Sequence, residues 1–189
     1  MTTRLTPPLA LAFVLSLAGW MSADVPLSLA TGGTVTIEGS SNVHGWTCAA
    51  AQVAGTGDGT PAAAGLTALT ALTVTVPVAQ IECGNGTMNG KLRTALLATT
   101  APTVRFVLTS ATVSARSAVT ASGRLTIAGQ TRPVQITAQG QPVSGNRYRF
   151  TGSVPLLMSQ YGIRPPTAMM GTMRTRDAVT VRFDVTLAR

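Results

Sequence analysis

Residues 123–139, GRLTIAGQTRPVQITAQ, contain the pattern that decides the fold of this chain. Leu125 and Ile127 alternate with arginine and threonine, and the alternation resumes at Val134 and Ile136 after a segment typical of turns. A period of two residues is typical of a strand with one buried face. The stretch therefore predicts a β-hairpin whose large apolar side chains all point to one side of a sheet.

The register of this hairpin follows from its apolar face and its proline. Pairing Ile127 with Arg132 keeps the large apolar side chains of both strands on one face. A two-residue loop at 129–130 would place Pro133 in a hydrogen-bonded pair, where it has no N–H to donate. A four-residue loop over 128–131 moves the proline to a non-hydrogen-bonded pair. We therefore predict this register with the four-residue loop.

The composition favours an all-β domain. Of the 189 residues, 45% are hydrophobic and only 11% are charged, which excludes a disordered chain and a long-helix protein. Threonine and valine are spread evenly along the chain, and β-branched residues favour strands. Aromatic residues make up only 4%. A core built from small side chains permits an internal cavity without proving one.

Further alternating segments raise the predicted number of antiparallel strands to about eight, as in an up-and-down barrel or a sandwich. The glycine-rich stretch 55–65 predicts a flexible loop. Besides the hairpin, strands are predicted near residues 34–38, 43–54, 66–78, 103–115, 146–156 and 179–187.

A single helix is predicted over residues 88–98. Met88, Leu92, Ala95 and Leu96 recur at helical spacing, and a proline lies just past the segment. We expect this short amphipathic helix to plug or cover the end of a sheet. A helix that binds a partner protein is the alternative.

The first 23 residues predict a signal peptide. Arg4 precedes an apolar stretch, residues 9–21, which is shorter than the about 20 residues that span a bilayer. A cut after Ala23 leaves one domain, residues 24–189. A cut after Ala30 and an uncleaved membrane anchor are the alternatives. The sequence therefore predicts a periplasmic or secreted protein.

The predicted exported domain is basic. Residues 24–189 carry 13 basic and 6 acidic side chains, a net charge of +7. The arginines are dispersed singly, so solubility is the simplest interpretation, and contact with an anionic membrane surface is the alternative. Nucleic-acid binding is not expected, because aromatic residues are few and are not interleaved with basic runs.

Groups for catalysis or metal binding are scarce. His44 is the only histidine, and the six acidic residues form no motif with it. A metal site needs about three or four ligands, and the sequence has no Cys-x-x-Cys pair for redox chemistry. We therefore expect no catalytic residues, no metal and no cofactor. An enzyme that acts on a lipid through His44 is the alternative.

Cys48 and Cys83 predict a disulfide, because an even number of cysteines in an exported chain is typical of paired thiols. The bridge would close a loop of roughly 35 residues and stabilise the fold by about 4 kcal/mol in the chain-entropy model. Two free buried thiols are the alternative.

The interior of the predicted barrel is the remaining candidate for a binding site. A closed barrel of about eight strands can hold one small apolar ligand or be filled by its own side chains. A filled barrel that uses the loop 158–170 as a contact surface is the alternative to a ligand carrier. In a hollow barrel that loop and Trp46 would lie at the mouth. The predicted ligand-binding residues are Trp46, Leu72, Val74, Phe106, Leu108, Leu125, Ile127, Val134, Ile136, Tyr148, Phe150, Phe183 and Val185.

Several segments of the chain, taken in order, resemble the YceI-like family, and the resemblance covers roughly residues 34–187. The stretch GRLTIAGQTRPVQI is similar to the family's strand–turn–strand signature. MNGKL and APTVRF, from residue 88 and residue 101, are similar to its short helix and the strand after it. GWTC and CGNG, around the two cysteines, resemble the subset with paired cysteines. Ala101 and the glycine-rich stretch 55–65 depart from the pattern.

This resemblance implies a periplasmic, eight-stranded antiparallel lipocalin-like barrel. It further implies an elongated apolar cavity for a polyisoprenoid or a similar long-chain, fatty-acid-like lipid, with no enzyme activity. Both a monomer and a homodimer are compatible with this expectation.

Overall fold

The computed structural model describes residues 23–189 except residues 51, 63–64 and 115–116, with the backbone alone at 168 and 169. Nearly all of the predicted signal peptide lies outside these residues and stays a prediction. Within the described part of the chain, no helix is both long enough and apolar enough to cross a bilayer. The strands and the α-helix, in chain order, are β1 (Val25–Leu29), β2 (Thr34–Ser41), β3 (Gly45–Ala50), β4 (Ala54–Ala62), β5 (Gly65–Pro77), β6 (Ile81–Glu82), α1 (Gly86–Ala95), β7 (Thr103–Val113), β8 (Ala118–Ile127), β9 (Gln130–Val143), β10 (Arg147–Leu157), β11 (Thr167–Ala168) and β12 (Met173–Ala188).

Eight of the strands form a closed antiparallel ring. Their order is β1-β4-β5-β7-β8-β9-β10-β12, and β1 returns to β12 where Ser28 and Leu29 lie opposite Ala188 and Leu187. Closure removes the exposed edges that an open sheet would carry. The prediction of an all-β, eight-stranded antiparallel barrel with one short helix is therefore confirmed.

Strand β12 is shared between the ring and a smaller sheet. One edge of its 16 residues pairs with β10. On the other edge, β2 pairs between Thr175 and Asp184, and β1 pairs only with the last two residues. Strands β3 and β6 continue outward from β2. The small sheet thus leaves the ring at one end, and apolar side chains of α1 pack against it.

The predicted register of the opening hairpin is wrong by two residues. Ile127 pairs with Gln130 through a two-residue turn, not with Arg132 through a four-residue loop. Both turn residues have positive φ, 48° at Ala128 and 75° at Gly129, as in the type I′ turns that match the twist of paired strands. A slip of two residues leaves the faces unchanged, so the apolar side chains still lie on one side.

The proline of the hairpin is accommodated in this register. Pro133 lies opposite Arg124, three pairs beyond the hydrogen-bonded pair next to the turn. Alternation along an antiparallel ladder makes this a non-hydrogen-bonded pair, so the missing N–H costs nothing. The hydroxyls of Thr126 and Thr131, 2.8 Å apart, add a cross-strand hydrogen bond. The reasoning about proline was therefore right, although the predicted loop was wrong.

The glycine-rich stretch predicted as a flexible loop is instead strand β4, and that prediction is wrong. Its residues pair with both β1 and β5. A Cβ added at Gly57 would lie 2.3 Å from the carbonyl oxygen of Ala71, and one added at Gly55 would lie 2.6 Å from that of Thr73. The glycines are therefore needed because the neighbouring backbone approaches closely, which is one of the recognised roles of glycine inside strands.

Packed side chains fill the ring at the end where β1 closes it. The aromatic rings of Phe106 and Phe183 lie on glycines of neighbouring strands. A Cβ added at Gly123 would lie 2.4 Å from Phe106 Cε2, and one added at Gly152 would lie 2.5 Å from Phe183 Cζ. The buried residues of this end are Leu27, Leu66, Leu69, Val119, Ala121, Tyr148, Phe150 and Leu187.

Exposed ion pairs join neighbouring strands on the outside of the barrel. Arg149 Nε donates to Asp184 Oδ1 at 2.7 Å, between β10 and β12, and Arg182 Nε donates to Glu38 Oε1 at 2.9 Å, between β12 and β2. The hydrogen bond from Arg149 lowers the pKa of Asp184. Because water screens exposed pairs, they stabilise the fold only slightly.

Candidate functional site

A cavity of about 440 Å³ lies at the end of the barrel where the small sheet leaves the ring. Strands β2, β3 and β6, helix α1, the ends of β10 and β12, and the segment 158–167 all contribute to its wall. Most of the lining side chains are apolar. The aliphatic and thioether side chains of the lining are Val35, Ile37, Ala50, Val76, Ile81, Met88, Leu92, Ala95, Leu96, Val104, Ile127, Leu156, Leu157, Met158, Ile163, Met173, Val179 and Val181.

Helix α1 forms one wall and is anchored through its N-terminal half. Asn85 caps its first turn by accepting a hydrogen bond from Met88 N at 2.9 Å. Asn89, 8% exposed, accepts one from Cys83 N at 2.7 Å and donates another to Glu82. Its buried amide therefore ties the helix to the chain that leaves β6.

The predicted disulfide between Cys48 and Cys83 is present in this wall. It joins β3 to the segment that begins α1, and both cysteines line the cavity. Cys48 is only 1% exposed. The cross-link therefore fixes the distance between the small sheet and the helix, and the alternative of two free thiols does not hold.

Another part of the wall is the 3₁₀ helix Met158–Tyr161, within the loop that was predicted at the mouth. Asp177 accepts hydrogen bonds from Ser159 N at 2.8 Å and from Ser159 Oγ at 2.5 Å. Arg132 Nε donates to Gln160 O at 2.9 Å. These contacts hold Tyr161, 2% exposed, against the cavity. Burial raises the pKa of its phenol, which favours the neutral form.

Polar groups are confined to a few positions of the lining. Ser41, His44, Asn85, Lys91 and Thr167 are among them. Lys91 Nζ donates to the carbonyl oxygen of Thr167 and so joins α1 to β11 beside the cavity. A mostly apolar wall with a few polar groups is typical of a site for an apolar molecule with a polar end.

Two of the thirteen predicted ligand-binding residues, Trp46 and Ile127, line the cavity. The ring of Trp46 lies on Gly39, and its Nε1 is buried without a hydrogen-bond partner among the described atoms. The other eleven do not reach this cavity, and most of them pack in the ring. These eleven are Leu72, Val74, Phe106, Leu108, Leu125, Val134, Ile136, Tyr148, Phe150, Phe183 and Val185.

The lining residues that sequence reasoning missed belong mainly to α1 and to the small sheet. The helix carried a usable signal, because the spacing of Met88, Leu92, Ala95 and Leu96 predicted an apolar face covering a sheet end. All four residues line the cavity. Ile81 could not be identified in this way, because β6 has only two residues and shows no alternation.

The geometry around His44 differs from that of a catalytic histidine. Its side chain is exposed, and Nδ1 lies 2.8 Å from the carbonyl oxygen of Gly45. Within the described residues, the ring bonds to no carboxylate that could orient it as a base. The same part of the chain holds no cluster of three or more metal-ligating side chains.

Residues 28–187 match the YceI-like domain family. The chain belongs to the YceI-like family. The match spans all eight strands of the ring apart from the outer residues of β1 and β12, together with the whole lining of the cavity. Among curated proteins, none matches the sequence significantly.

Solved structures share this YceI-like fold at low sequence identity. BcnA from Burkholderia cenocepacia is 21% identical, with a TM-score of 0.66 over 82% of this chain and 95% of that one. A polyisoprenoid-binding domain from Saccharophagus degradans, implicated in plant cell wall breakdown, is 15% identical, with a TM-score of 0.66 over 86% and 97%. The Campylobacter jejuni YceI protein is 18% identical, with a TM-score of 0.54 over 64% and 72%.

Proposed function

We propose that this YceI-like domain carries a long-chain apolar lipid, of the polyisoprenoid or fatty-acid type, in the cavity between α1 and the small sheet. The observation that carries the proposal is the cavity itself, whose wall is almost wholly apolar. In this proposal the protein carries its ligand without changing it, which the exposed position of His44 and the contact of its ring with a backbone carbonyl support. Family membership and the likeness to a polyisoprenoid-binding domain support the same ligand class.

The cavity volume sets the length of chain that fits inside. A cavity of about 150 Å³ is enough for benzene, which has six carbons. The volume of about 440 Å³ is close to three times larger, and so holds on the order of 18 carbons. A longer polyisoprenoid would therefore leave part of its chain outside the cavity.

Export supports a lipid carrier of this kind. The predicted signal peptide would direct the chain out of the cytoplasm, and a disulfide persists in an oxidising compartment. A long apolar chain has very low solubility in water, so its movement through an aqueous compartment requires a carrier. We propose that the domain acts in the periplasm.

The test is organic extraction and mass spectrometry of the protein purified from its own periplasm. We expect a co-purifying lipid with an alkyl or isoprenoid chain, in nearly stoichiometric amount. Reproducible absence of such a lipid would contradict the proposal and would favour the alternative of an interaction module.

Affinity can be followed by intrinsic fluorescence. Trp46 is the only tryptophan of residues 24–189, and it lines the cavity. In a series of chain lengths, affinity should rise to roughly 18 carbons and then level off. Ala95→Phe, which places a ring in the cavity, should abolish saturable binding of the longer chains. Thr94→Phe, on the exposed side of the same helix, is the matched control and should bind normally.

A further inference from the structure

Two segments beside the cavity are fastened to each other and form a rim, defined here as residues 42–44, residues 170–174 and Lys91. Asn42 N donates to Arg174 O at 3.1 Å, Asn42 Nδ2 donates to Thr172 O at 2.9 Å, and Arg174 N donates to Asn42 Oδ1 at 2.8 Å. Three hydrogen bonds between the two segments make the rim one surface. His44, Lys91 and Met173 of this rim also line the cavity.

The rim exposes large apolar side chains to water. Met170 is 105% exposed and Val43 is 64% exposed, which makes them the two most exposed large apolar side chains of the described residues. Asn42, next to Val43, donates to the carbonyl oxygen of Thr172, two residues from Met170, so both apolar residues lie at the same end of the molecule. Apolar groups placed together on a surface mark a site of contact.

Hydrogen bonds hold Val43 in this exposed position. Ser41, itself 8% exposed, accepts with its Oγ from Val43 N at 3.1 Å and from His44 N at 3.0 Å, and donates to His44 O at 3.0 Å. The turn therefore cannot easily fold the valine back onto the cavity. The exposure of Val43 therefore follows from the hydrogen bonds that close this turn.

Positively charged side chains belong to the rim or lie close to it in sequence. Lys91 and Arg174 belong to the rim, and Arg164 and Arg176 lie in the flanking chain. In the part of the chain that the structure describes, none of the four has a carboxylate within ion-pair distance. Lys91 and Arg174 bond instead to backbone carbonyls, which leaves their charge uncompensated. The rim therefore combines projecting apolar groups with an excess of cations.

We propose that this rim docks on the surface of an anionic lipid bilayer. Val43 and Met170 enter the headgroup region, and the cations of the rim bind lipid phosphates. A bilayer suits two isolated projecting side chains better than a folded protein does, because fluid lipid closes around them without a preformed pocket. Docking in this orientation turns the cavity toward the membrane. It does not depend on which molecule the cavity holds.

Flotation with vesicles tests the docking of the exported protein. Vesicles of equimolar phosphatidylcholine and phosphatidylglycerol are compared with vesicles of phosphatidylcholine alone. We expect binding to the anionic vesicles that weakens as salt is raised. Val43→Ser/Met170→Ser should weaken this binding roughly tenfold. Val143→Ser removes an exposed valine at the opposite end of the barrel and should bind like the wild type.

A second double variant tests the contribution of the positively charged side chains of the rim. Lys91→Gln/Arg174→Gln should bind anionic vesicles more weakly and with a shallower dependence on salt, whereas Arg147→Gln at the far end should change neither. Circular dichroism confirms that each variant is folded. Equal losses in rim and control variants, equal binding to both vesicles, or no binding to either would overturn docking. The last result would leave the rim as a candidate contact for a protein. Lipid extracted from the cavity is measured separately, so failure of docking is distinguishable from failure of the carrier proposal.

Discussion

Removal of the disulfide between Cys48 and Cys83 should lower the free energy of unfolding by about 4 kcal/mol. The bond joins β3 to the start of α1, and the two cysteines are 35 residues apart in sequence. The enclosed loop contains the glycine-rich strand β4 and the long strand β5. Much conformational freedom therefore returns to the unfolded chain when the bond is reduced.

The magnitude follows from the length of this loop. For a separation of 35 residues, the chain-entropy relation gives about 3.8 kcal/mol at 25 °C. Replacing both residues by alanine also removes buried sulfur, since Cys48 and Cys83 are 1% and 8% exposed. Each lost sulfur adds about 1 kcal/mol, in the range measured for deleting one buried group, so the double variant should lose about 2 kcal/mol more than the reduced protein. A domain of this size has a total stability of about 5–15 kcal/mol, so the change is large.

Urea denaturation followed by far-UV circular dichroism measures the effect. Three samples are compared: the oxidised wild type, the wild type in dithiothreitol, and Cys48→Ala/Cys83→Ala. The reduced wild type loses only the cross-link, whereas the double variant also loses the sulfur atoms. We expect stabilities in the order oxidised wild type, reduced wild type, double variant. Dithiothreitol should not affect the double variant, which serves as the control for the reductant.

Two results would refute this reasoning. A stability loss below about 1 kcal/mol on reduction would show that the loop is already constrained in the unfolded chain, contrary to the entropy argument. Free thiols in the untreated protein, detected by mass spectrometry without reductant, would remove the bond itself. Lipid affinity should fall along with stability, because both cysteines line the cavity and hold α1 in place.

Three further predictions concern single side chains. Gly39→Ala would place a Cβ 2.2 Å from Trp46 Cζ2, so the indole must move; we expect a loss of about 1–3 kcal/mol in urea denaturation and a shifted fluorescence maximum. Asn89→Ala leaves the buried Cys83 N–H without its acceptor and should cost about 1–3 kcal/mol by the same measurement. Because hydrogen bonding from its guanidinium partner lowers the pKa of Asp184, the stabilisation is present above the unfolded-state value and is lost as pH falls through the folded-state value. Asp184→Asn should therefore be less stable than the wild type at neutral pH and equal to it in strong acid.

Controls accompany these variants. Gly90→Ala adds a Cβ that meets no atom within 4 Å inside α1, and it should stabilise the protein by about 0.5–1 kcal/mol. If Gly39→Ala behaved in the same way, the ring of Trp46 would not lie where the structure places it. High salt should reduce the neutral-pH difference seen with Asp184→Asn, because exposed ion pairs are screened.

The alternation of apolar residues was sufficient to predict the faces of the opening hairpin but not its register. Faces depend only on whether a position is odd or even, so a slip of two residues leaves them intact. The register depends on the turn, and Ala128-Gly129 lacks the asparagine or aspartate that usually marks a type I′ turn. Ala128 adopts a φ of 48° although alanine rarely does so.

Strand β4 escaped prediction for a related reason. Its sequence, AGTGDGTPA, has the glycines and the proline that mark loops. The glycines are required by backbone atoms of the next strand, β5, whose close approach cannot be recognised from the sequence of β4 itself. Tertiary contact therefore overrode composition at this position.

The position of the cavity was the least predictable feature. Alternation identifies the side chains that point inward, but it does not distinguish a filled interior from a hollow one. Phe106 and Phe183 fill the ring because glycines of neighbouring strands admit their aromatic rings. The space lies instead beside α1, where the small sheet diverges from the barrel. To infer the position of the cavity from sequence, one would need to know both the pairing register of the strands and the glycines on which the aromatic rings pack.

The sharing of β12 between the ring and the small sheet has a kinetic consequence. Ser28 and Ala188, which lie opposite each other, are separated by 160 residues, and contacts this distant form slowly. Three other strands, β1, β2 and β10, pair with β4, β3 and β9 on one edge, and their other edge stays unpaired until β12 arrives. Until then their apolar faces stay open to aggregation or to a chaperone. The barrel therefore cannot close until its final strand has been made, and the unpaired edges stay accessible to chaperones up to that point.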